Sequence, residues 1–386
     1  MDLISPVFLE DNRLIENRKY FIKAFSVPVY WYVNILNHDP FTYDIDYDKL
    51  IQDIKNNDAF FIFDHSQDPI NQRIIKNLPT FTSVINFFEN HNLPKERLII
   101  LGSVPESLFF LDITPSLVTV NPKKELEKEF NYIFWPYLIY DWRFWLKRLP
   151  NISYDYPEKH FLSLSRRDSI NRRFLNYSYH KHDLFDKGLI SHLRVSENNI
   201  EKTGEDYEVE INMLKDRPDF DVGYFIKYGF MKHTVDGDDL SKEYSSHFTN
   251  AYDDLVERVC FEVVTETGVN NTLFLTEKTL KPLYSGIPFL ISGPPYILKY
   301  LKKLGFKTYD SIFDESYDLQ EVYYDRVEII LRNLNKLCKM SLNDCKKLMD
   351  TVRHIGKHNQ NHFMSSSWTF NINSTIQNKI NEILNV

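Results

Sequence analysis

The run Leu273 to Gly293, LFLTEKTLKPLYSGIPFLISG, decides how the chain is read. An apolar stretch, Leu273 to Leu275, leads into Thr276-Glu277-Lys278, and a helical pattern continues to Ser285. Gly286 breaks that pattern, and Ile287 to Ser292 has the composition of a buried strand. The order predicts a strand, a turn, a helix and a second strand. Such a unit sets backbone amides and the positive end of a helix dipole at the carboxyl end of a parallel strand, where a phosphate is held without buried cations. Thr276 has the chemistry of an N-cap, Lys278 suits a diphosphate, and Glu277 suits the two hydroxyls of a ribose. The plainer alternative makes Glu277 and Lys278 solvated first-turn residues.

On the N-terminal side, Val259 to Thr267 is another apolar run that carries an acid, Glu266, near its end. On the C-terminal side, Gly293-Pro294-Pro295 opens a helix, Tyr296 to Leu304, closed by Gly305. This order of Phe-Glu, a later acid, T-E-K, a helix ended by glycine and I-P-F-x-x-x-G resembles the donor-binding motif of the fucosyltransferase-like glycosyltransferases, glycosyltransferase family ten. It is most similar to their bacteriophage and viral relatives, in which T-E-K-T-x-K-P and a later L-G-F-K-T-hydrophobic-D segment recur. Here that later segment is Leu304 to Asp310, followed by Asp314 to Asp318, and the resemblance spans about Arg258 to Asp318.

The resemblance implies an α/β, GT-B-like fold: two Rossmann-like domains with parallel sheets facing a central cleft, followed by C-terminal helices. It also implies inverting transfer from a nucleotide-diphosphate sugar, with no obligatory metal. The spacing of Glu266 and Glu277 does not match the closer glutamate pair of many retaining enzymes of this fold, which points the same way.

Composition agrees with a two-domain enzyme. The chain has 386 residues, above the usual single-domain size, and 43% apolar residues with 29 Phe and 24 Tyr supply full cores. A net charge of −8 argues against a general nucleic-acid coat while leaving room for a local basic groove. Eleven glycines include no glycine-rich phosphate loop, so Arg, Lys and helix ends would have to recognise phosphate. Cys260, Cys338 and Cys345 are widely placed, and the spacing of the last two predicts small apolar side chains on one helix face of a reduced, cytoplasmic protein, in host cytoplasm if viral. The first residues, MDLISPVFLEDNRLIENRK, read as no signal peptide, and no apolar run reaches the length of about 18 that a membrane span needs.

Three segments are expected: 1–155, an α/β acceptor-side domain; 156–360, a Rossmann-like nucleotide-sugar domain; and 361–386, a terminal helix packing back on the first domain. In the first, Val27 to Ile35, Ala59 to Phe63, Leu98 to Leu101 and Leu117 to Val120 read as strands, and Gln72 to Asn90 and Lys123 to Tyr132 contain helices. Asp64 and His65 follow one strand and Glu106 follows another, so each is a candidate general base at a strand end, and a turn residue otherwise. Trp142, Phe144, Trp145 and Leu149 make an amphipathic segment, and Asn151 to Lys159 reads as an interdomain linker.

The second domain opens with the strand His160 to Ser165, followed by Arg166, Arg167, Arg172 and Arg173 at the head of a helix, a concentration of bidentate phosphate donors beside a helix N-terminus. In the viral relatives the matching stretch reads approximately L-N-R-R-x-x-x-H-R. Arg166, Arg167 and Arg172 match it, whereas Ser165 and Asn171 depart from it. By resemblance, Arg166 or Arg172 joins Lys278 on the diphosphate, with Arg167, Glu266, Thr276 and Glu277 completing the donor site.

Asp219-Phe220-Asp221 and Asp236-Gly237-Asp238 are D-x-D patterns in loops, and His354, His358 and His362 recur at helical spacing without the glutamate of a zinc protease motif; no metal site is assigned to either. Leu319 to His358 and Ser374 to Leu384 read as helical, with Trp368, Phe370, Ile372 and Ile376 as anchors. The acceptor is a glycan, a protein, or a hydroxymethylated base in viral DNA. The DNA reading requires a basic channel, for which Lys299, Lys302, Lys303, Lys307 and the arginine cluster are the candidates. A non-catalytic nucleotide-binding or assembly protein of the same fold is the reading from another class.

Overall fold

The computed structural model describes residues 29–33, 46–56, 59–65, 79–102, 131–134, 152–165, 169–192, 211–212, 214–215, 217, 219–235, 250–266, 273, 275–365, 378 and 380–383. They form two four-stranded sheets, each parallel throughout, so the chain is α/β. It divides into two compact units: Met1–Trp145 with Thr272–Phe274 and Ser366–Val386, and Leu146–Asn271 with Leu275–Ser365. Among the described residues no helix is long and apolar enough to cross a membrane.

In the first unit, β1 (Val29–Val33), β2 (Phe60–His65), β3 (Leu98–Gly102) and β4 (Asn131–Phe134) lie in chain order. Ala59 to Phe63 and Leu98 to Leu101 are buried without alternation, as in a parallel sheet covered on both faces. One cover is made by α1 (Tyr47–Lys55), whose Asp46 cap accepts the Lys49 amide at 3.0 Å, and by α2 (Pro79–Asn90). Leu50, Ile54, Val84 and Phe88 of these helices pack on Phe61, Phe63, Leu98 and Ile100. Of the stretch Lys123 to Tyr132, expected to contain a helix, residues 123–130 lie outside the described residues, and Asn131 and Tyr132 open β4 and pair with Ile99 and Ile100. Sheet pairing of an aromatic, β-branched segment outranks its local helical pattern. The strand expected at Leu117 to Val120 lies outside the described residues.

In the second unit, β5 (Lys159–Ser165), β6 (Gly188–His192), β7 (Val259–Thr265) and β8 (Phe289–Ser292) take the order β6-β5-β7-β8. The chain leaves β5 for β6, then crosses back to β7, so the winding reverses between β5 and β7. Open parallel sheets bind ligands at the carboxyl ends of the strands flanking such a reversal. The helices are α3 (Ile170–Lys181), α4 (Val222–Gly229), α5 (Asn250–Glu257), α6 (Glu277–Ser285), α7 (Ile297–Lys303), α8 (Tyr323–Cys338), α9 (Leu342–Asp350) and α10 (Arg353–Met364). Every residue of β7 is buried, with the Phe161 and Phe261 rings stacked 6.0 Å apart on one face and Tyr252, Leu255 and Val256 of α5 packed against the sheet.

Three further expectations change. Leu273 and Leu275 are buried but belong to neither sheet, so β7 rather than a local strand precedes α6. The region Leu319 to His358, read as helical, holds α8, α9 and the start of α10, with Ser341 capping the start of α9 through the Asp344 amide at 3.1 Å. Cys338 therefore closes α8 while Cys345 lies in α9, and all three cysteines are buried thiols. The stretch read as a linker is fixed to the second unit: Ser153 donates its amide to Glu257 at 2.8 Å, and the Tyr154 hydroxyl donates to the Ser285 carbonyl at 2.6 Å.

Helix α6 ends at Gly286, whose φ of 76° admits glycine readily, and α10 crosses it there. A Cβ on Gly356 would lie 2.0 Å from the Gly286 carbonyl oxygen. Gly356→Ala is therefore expected to destabilise the protein by about 1–3 kcal/mol, read as a lower urea midpoint, with Ala at the exposed position Arg353 as a mild control.

Candidate functional site

Strand β7 runs out at Thr265, and the next residue, Glu266, is 0% exposed. Its Oε1 accepts the amides of Thr276 at 3.2 Å and Thr279 at 3.3 Å and the Thr279 hydroxyl at 2.5 Å, while Oε2 accepts the Thr276 hydroxyl at 2.6 Å. Thr276 in turn caps α6 by accepting the Lys278 amide at 3.2 Å. The first-turn amides expected to hold a phosphate are thus engaged by the chain's own carboxylate and hydroxyl. A carboxylate at the positive end of the helix dipole also offsets that charge. Glu266 and Thr276 serve as a brace between β7 and α6, and the sequence signal for it is a threonine pair, Thr276 and Thr279, one turn apart after an acid.

Glu277 and Lys278 stand on the outer side of this brace. Their side chains are 23% and 22% exposed, with Nζ 2.5 Å from Oε1. Burial pushes the Glu277 carboxyl up, but the Lys278 charge and hydrogen bond, aided by Lys281, outweigh it and hold Glu277 below the usual range. The pair offers a cation to a phosphate and an acceptor to hydroxyls.

The other helix beginning beside the reversal is built differently. Ser169 precedes α3 in extended geometry, φ −161° and ψ 157°, and its side chain makes no cap hydrogen bond. Its Oγ is buried without a hydrogen-bond partner among the described residues, as is Oγ1 of Thr265, a residue 1% exposed at the end of β7. Buried polar atoms are rarely left in this state. Arg172 is buried in the first turn of α3, close enough for its charge to act on the Tyr323 hydroxyl. That hydroxyl donates to the Asn171 carbonyl at 2.9 Å and lies 3.0 Å from Oγ of Ser292 at the end of β8. The ends of β7 and β8 and the start of α3 are thereby tied into one edge. Arg173 turns elsewhere, its guanidinium 4.4 Å from the Phe230 ring centroid. Arg166, Arg167 and Glu106 lie outside the described residues, and Asp64 and His65 are the last two residues of β2.

Behind Glu277, Glu262 of β7 is 4% exposed and accepts the Tyr252 hydroxyl at 2.6 Å. The Nζ of Lys281 lies 5.2 Å from the Tyr252 ring centroid. Burial pushes Glu262 up to about 7, against the lowering effects of Tyr252 and Lys281. In the sequence Glu262 and Lys281 stand only as letters of the motif, and neither they nor Tyr252 show a role there, since Glu262 and Tyr252 meet only when α5 folds onto β7.

The remaining candidates have structural partners. Asp221 caps α4 through the Tyr224 amide at 2.9 Å, and Asp236 and Asp238 lie outside the described residues. His358 and His362 of α10 bond the carbonyls of Gly305 and Leu304 at 3.0 and 2.7 Å, at the end of α7. Lys302, a residue of the expected basic channel, is paired with Asp310 at 3.5 Å and Glu315 at 3.1 Å.

No family model matches the chain, and no curated protein does. Among solved structures it is similar to a DNA-modifying β-glucosyltransferase studied with and without uridine diphosphoglucose, at 11% identity over 99% of this chain and 97% of that one, with a TM-score of 0.45. It is similar also to the catalytic domain of starch synthase IV from Arabidopsis thaliana bound to ADP and acarbose, at 8% identity over 97% and 76%, TM-score 0.42. A third, trehalose-6-phosphate from E. coli bound with UDP-2-fluoro glucose, shares 13% identity over 96% and 77%, TM-score 0.38.

Glu266→Ala is expected to lower stability by about 2–4 kcal/mol in urea titrations, because it strands buried threonine and amide donors. Glu262 gives a pH signature of defined sign. Its folded value, about 7, exceeds the ordinary 4.5, so the folded state keeps the proton longer and stability falls as pH rises between those values. Glu262→Gln should therefore be more stable than wild type by about 3 kcal/mol at pH 8, with the difference vanishing below about pH 4.5.

Proposed function

We propose that the chain is a GT-B-type glycosyltransferase that moves a sugar from a nucleotide-diphosphate sugar to an acceptor hydroxyl. The observation that carries this reading is the edge beside the β5–β7 reversal, where the start of α3 has no side-chain cap and carries the buried Ser169 hydroxyl and the buried Arg172, and where β7 ends at the buried Thr265. Helix N-termini with arginine favour phosphate, and a strand reversal favours a nucleotide.

In this reading the diphosphate rests at the start of α3, on Ser169 and Arg172, with Arg166 and Arg167, which precede them in sequence, as further donors. Lys278 meets the leaving diphosphate and Glu277 accepts from the ribose hydroxyls. The acceptor oxygen attacks the anomeric carbon, the bond from that carbon to the diphosphate oxygen breaks, and configuration inverts. Asp64, His65 or Glu106 takes the acceptor proton. Guanidinium and ammonium groups offset the charge developing on the departing diphosphate, a task that a divalent cation performs in other enzymes.

A thermal-shift panel of UDP, GDP, ADP and CMP with their sugar conjugates tests the donor site. Stabilisation by one diphosphate family, with affinity about ten-fold weaker in Lys278→Ala, is the expected result. Sugar transfer that survives unchanged in both Glu277→Ala and Lys278→Ala would falsify the assignment.

A further inference from the structure

Lys281 is a cation of the T-E-K-T-x-K-P stretch to which the donor reading gives no task. It follows Glu277 by one turn of α6 and is half-buried against the Tyr252 ring. Glu262, in the middle of a strand buried along its whole length and bonded by Tyr252, lies within electrostatic reach of Lys281. Lys281 acts in turn on Glu277, which pairs with Lys278 at 2.5 Å, so acid and base alternate from Glu262 to Lys278.

We propose that Lys281 and Glu262 are positioning residues that set the charge of the Glu277–Lys278 pair, so that the hold on a donor diphosphate tightens when Glu262 takes up a proton. This inference rests on the donor reading given above. With all four groups ionised, the two acids cancel the two bases. One proton on Glu262 leaves an excess positive charge beside the rim, and Lys281, released from one of its two acids, acts more strongly on Glu277.

The surroundings isolate this exchange. The groups facing Glu262 are Tyr252 from α5 and Lys281 from α6, while its neighbours across the sheet, Leu162 of β5 and Phe289 of β8, are apolar. Lys281 faces Glu277 and Lys278 on its own helix and Glu262 on β7. Tyr252 faces Glu262, Ser285 and Tyr154. Burial holds Glu262 up to about 7, so the change falls near neutral pH.

The test is calorimetric binding of UDP-glucose, ADP-glucose and GDP-fucose to the full chain from about pH 5.5 to 8.5, a window in which a bridged diphosphate does not titrate and pH dependence belongs to the protein. Wild-type affinity for the sugar nucleotide that binds is expected to fall about three- to ten-fold as pH rises through about 7. Glu262→Gln should remove that step, and Glu262→Asp should keep one. Tyr252→Phe, which deletes only the hydroxyl that lowers Glu262, should move the step to higher pH, a readout independent of whether the Gln variant folds. A wild-type pH profile retained in Glu262→Gln, or a step unmoved in Tyr252→Phe, overturns the inference while leaving the donor site intact. Absence of binding by all three nucleotides at every pH overturns the donor reading and this inference with it.

Discussion

A carboxylate that solvent does not reach, Glu266, is the joint on which the second unit depends. It fastens the end of the central strand β7 to the first turn of α6 through four hydrogen bonds, and in doing so occupies the helix end that would otherwise attract an anion. The same device recurs one element later. Asp318, pushed up to about 6 by burial, accepts the Leu298 and Lys299 amides at the start of α7. Helix α3 lacks such a lid. Of three helix starts that follow strands β5, β7 and β8, two are sealed by the chain's own acids and one is not, and the proposed placing of a diphosphate at α3 rests on this asymmetry rather than on the T-E-K motif alone.

Sealing α6 leaves its first-turn side chains to do the work that its amides cannot. Glu277 and Lys278 compensate each other at the rim, and Lys281, one turn further along α6, helps to hold the Glu277 carboxyl below the usual range. Ionisable groups are costly to bury singly but tolerable in compensating sets, so a buried acid on β7 implies a basic partner on the covering helix. Lys281 is that partner.

Much of the fold was legible because parallel strands buried on both faces read as unbroken apolar runs, and β2, β3, β5, β7 and β8 all fall on such runs. Leu273 and Leu275 lie in a run of the same composition but belong to neither sheet, since burial and strand pairing share one signature in sequence. Helix limits set by local chemistry were also readable: Thr276 and Gly286 bound α6, and Gly305 follows α7. The candidate site was legible as a set of residue types and less so as an arrangement. Glu266 reaches amides ten and thirteen residues ahead, and Tyr323 joins Asn171, 152 residues before it, to Ser292. No periodicity records such partnerships, because they are made by the order of strands in the sheet. The division of the last helical region into α8, α9 and α10 escaped for the opposite reason: the capping serine is ordinary in sequence, and only the chain's return across the sheet gives it effect.

The contact of Gly286 with Gly356 bears on how the second unit comes apart. Two backbones that touch without side chains between them have no intermediate spacing at which both remain packed, so α6 and α10 cannot loosen by degrees. Gln360 strengthens the junction by donating to the Ser285 carbonyl at 2.8 Å. Local opening that frees α10 must then release the end of α6 as well, giving the two helices a common free energy of amide exchange although seventy residues separate Gly286 from Gly356. A perturbation of the last helices is thus felt at the helix that carries Glu277 and Lys278, through cooperativity of unfolding rather than through any side-chain relay.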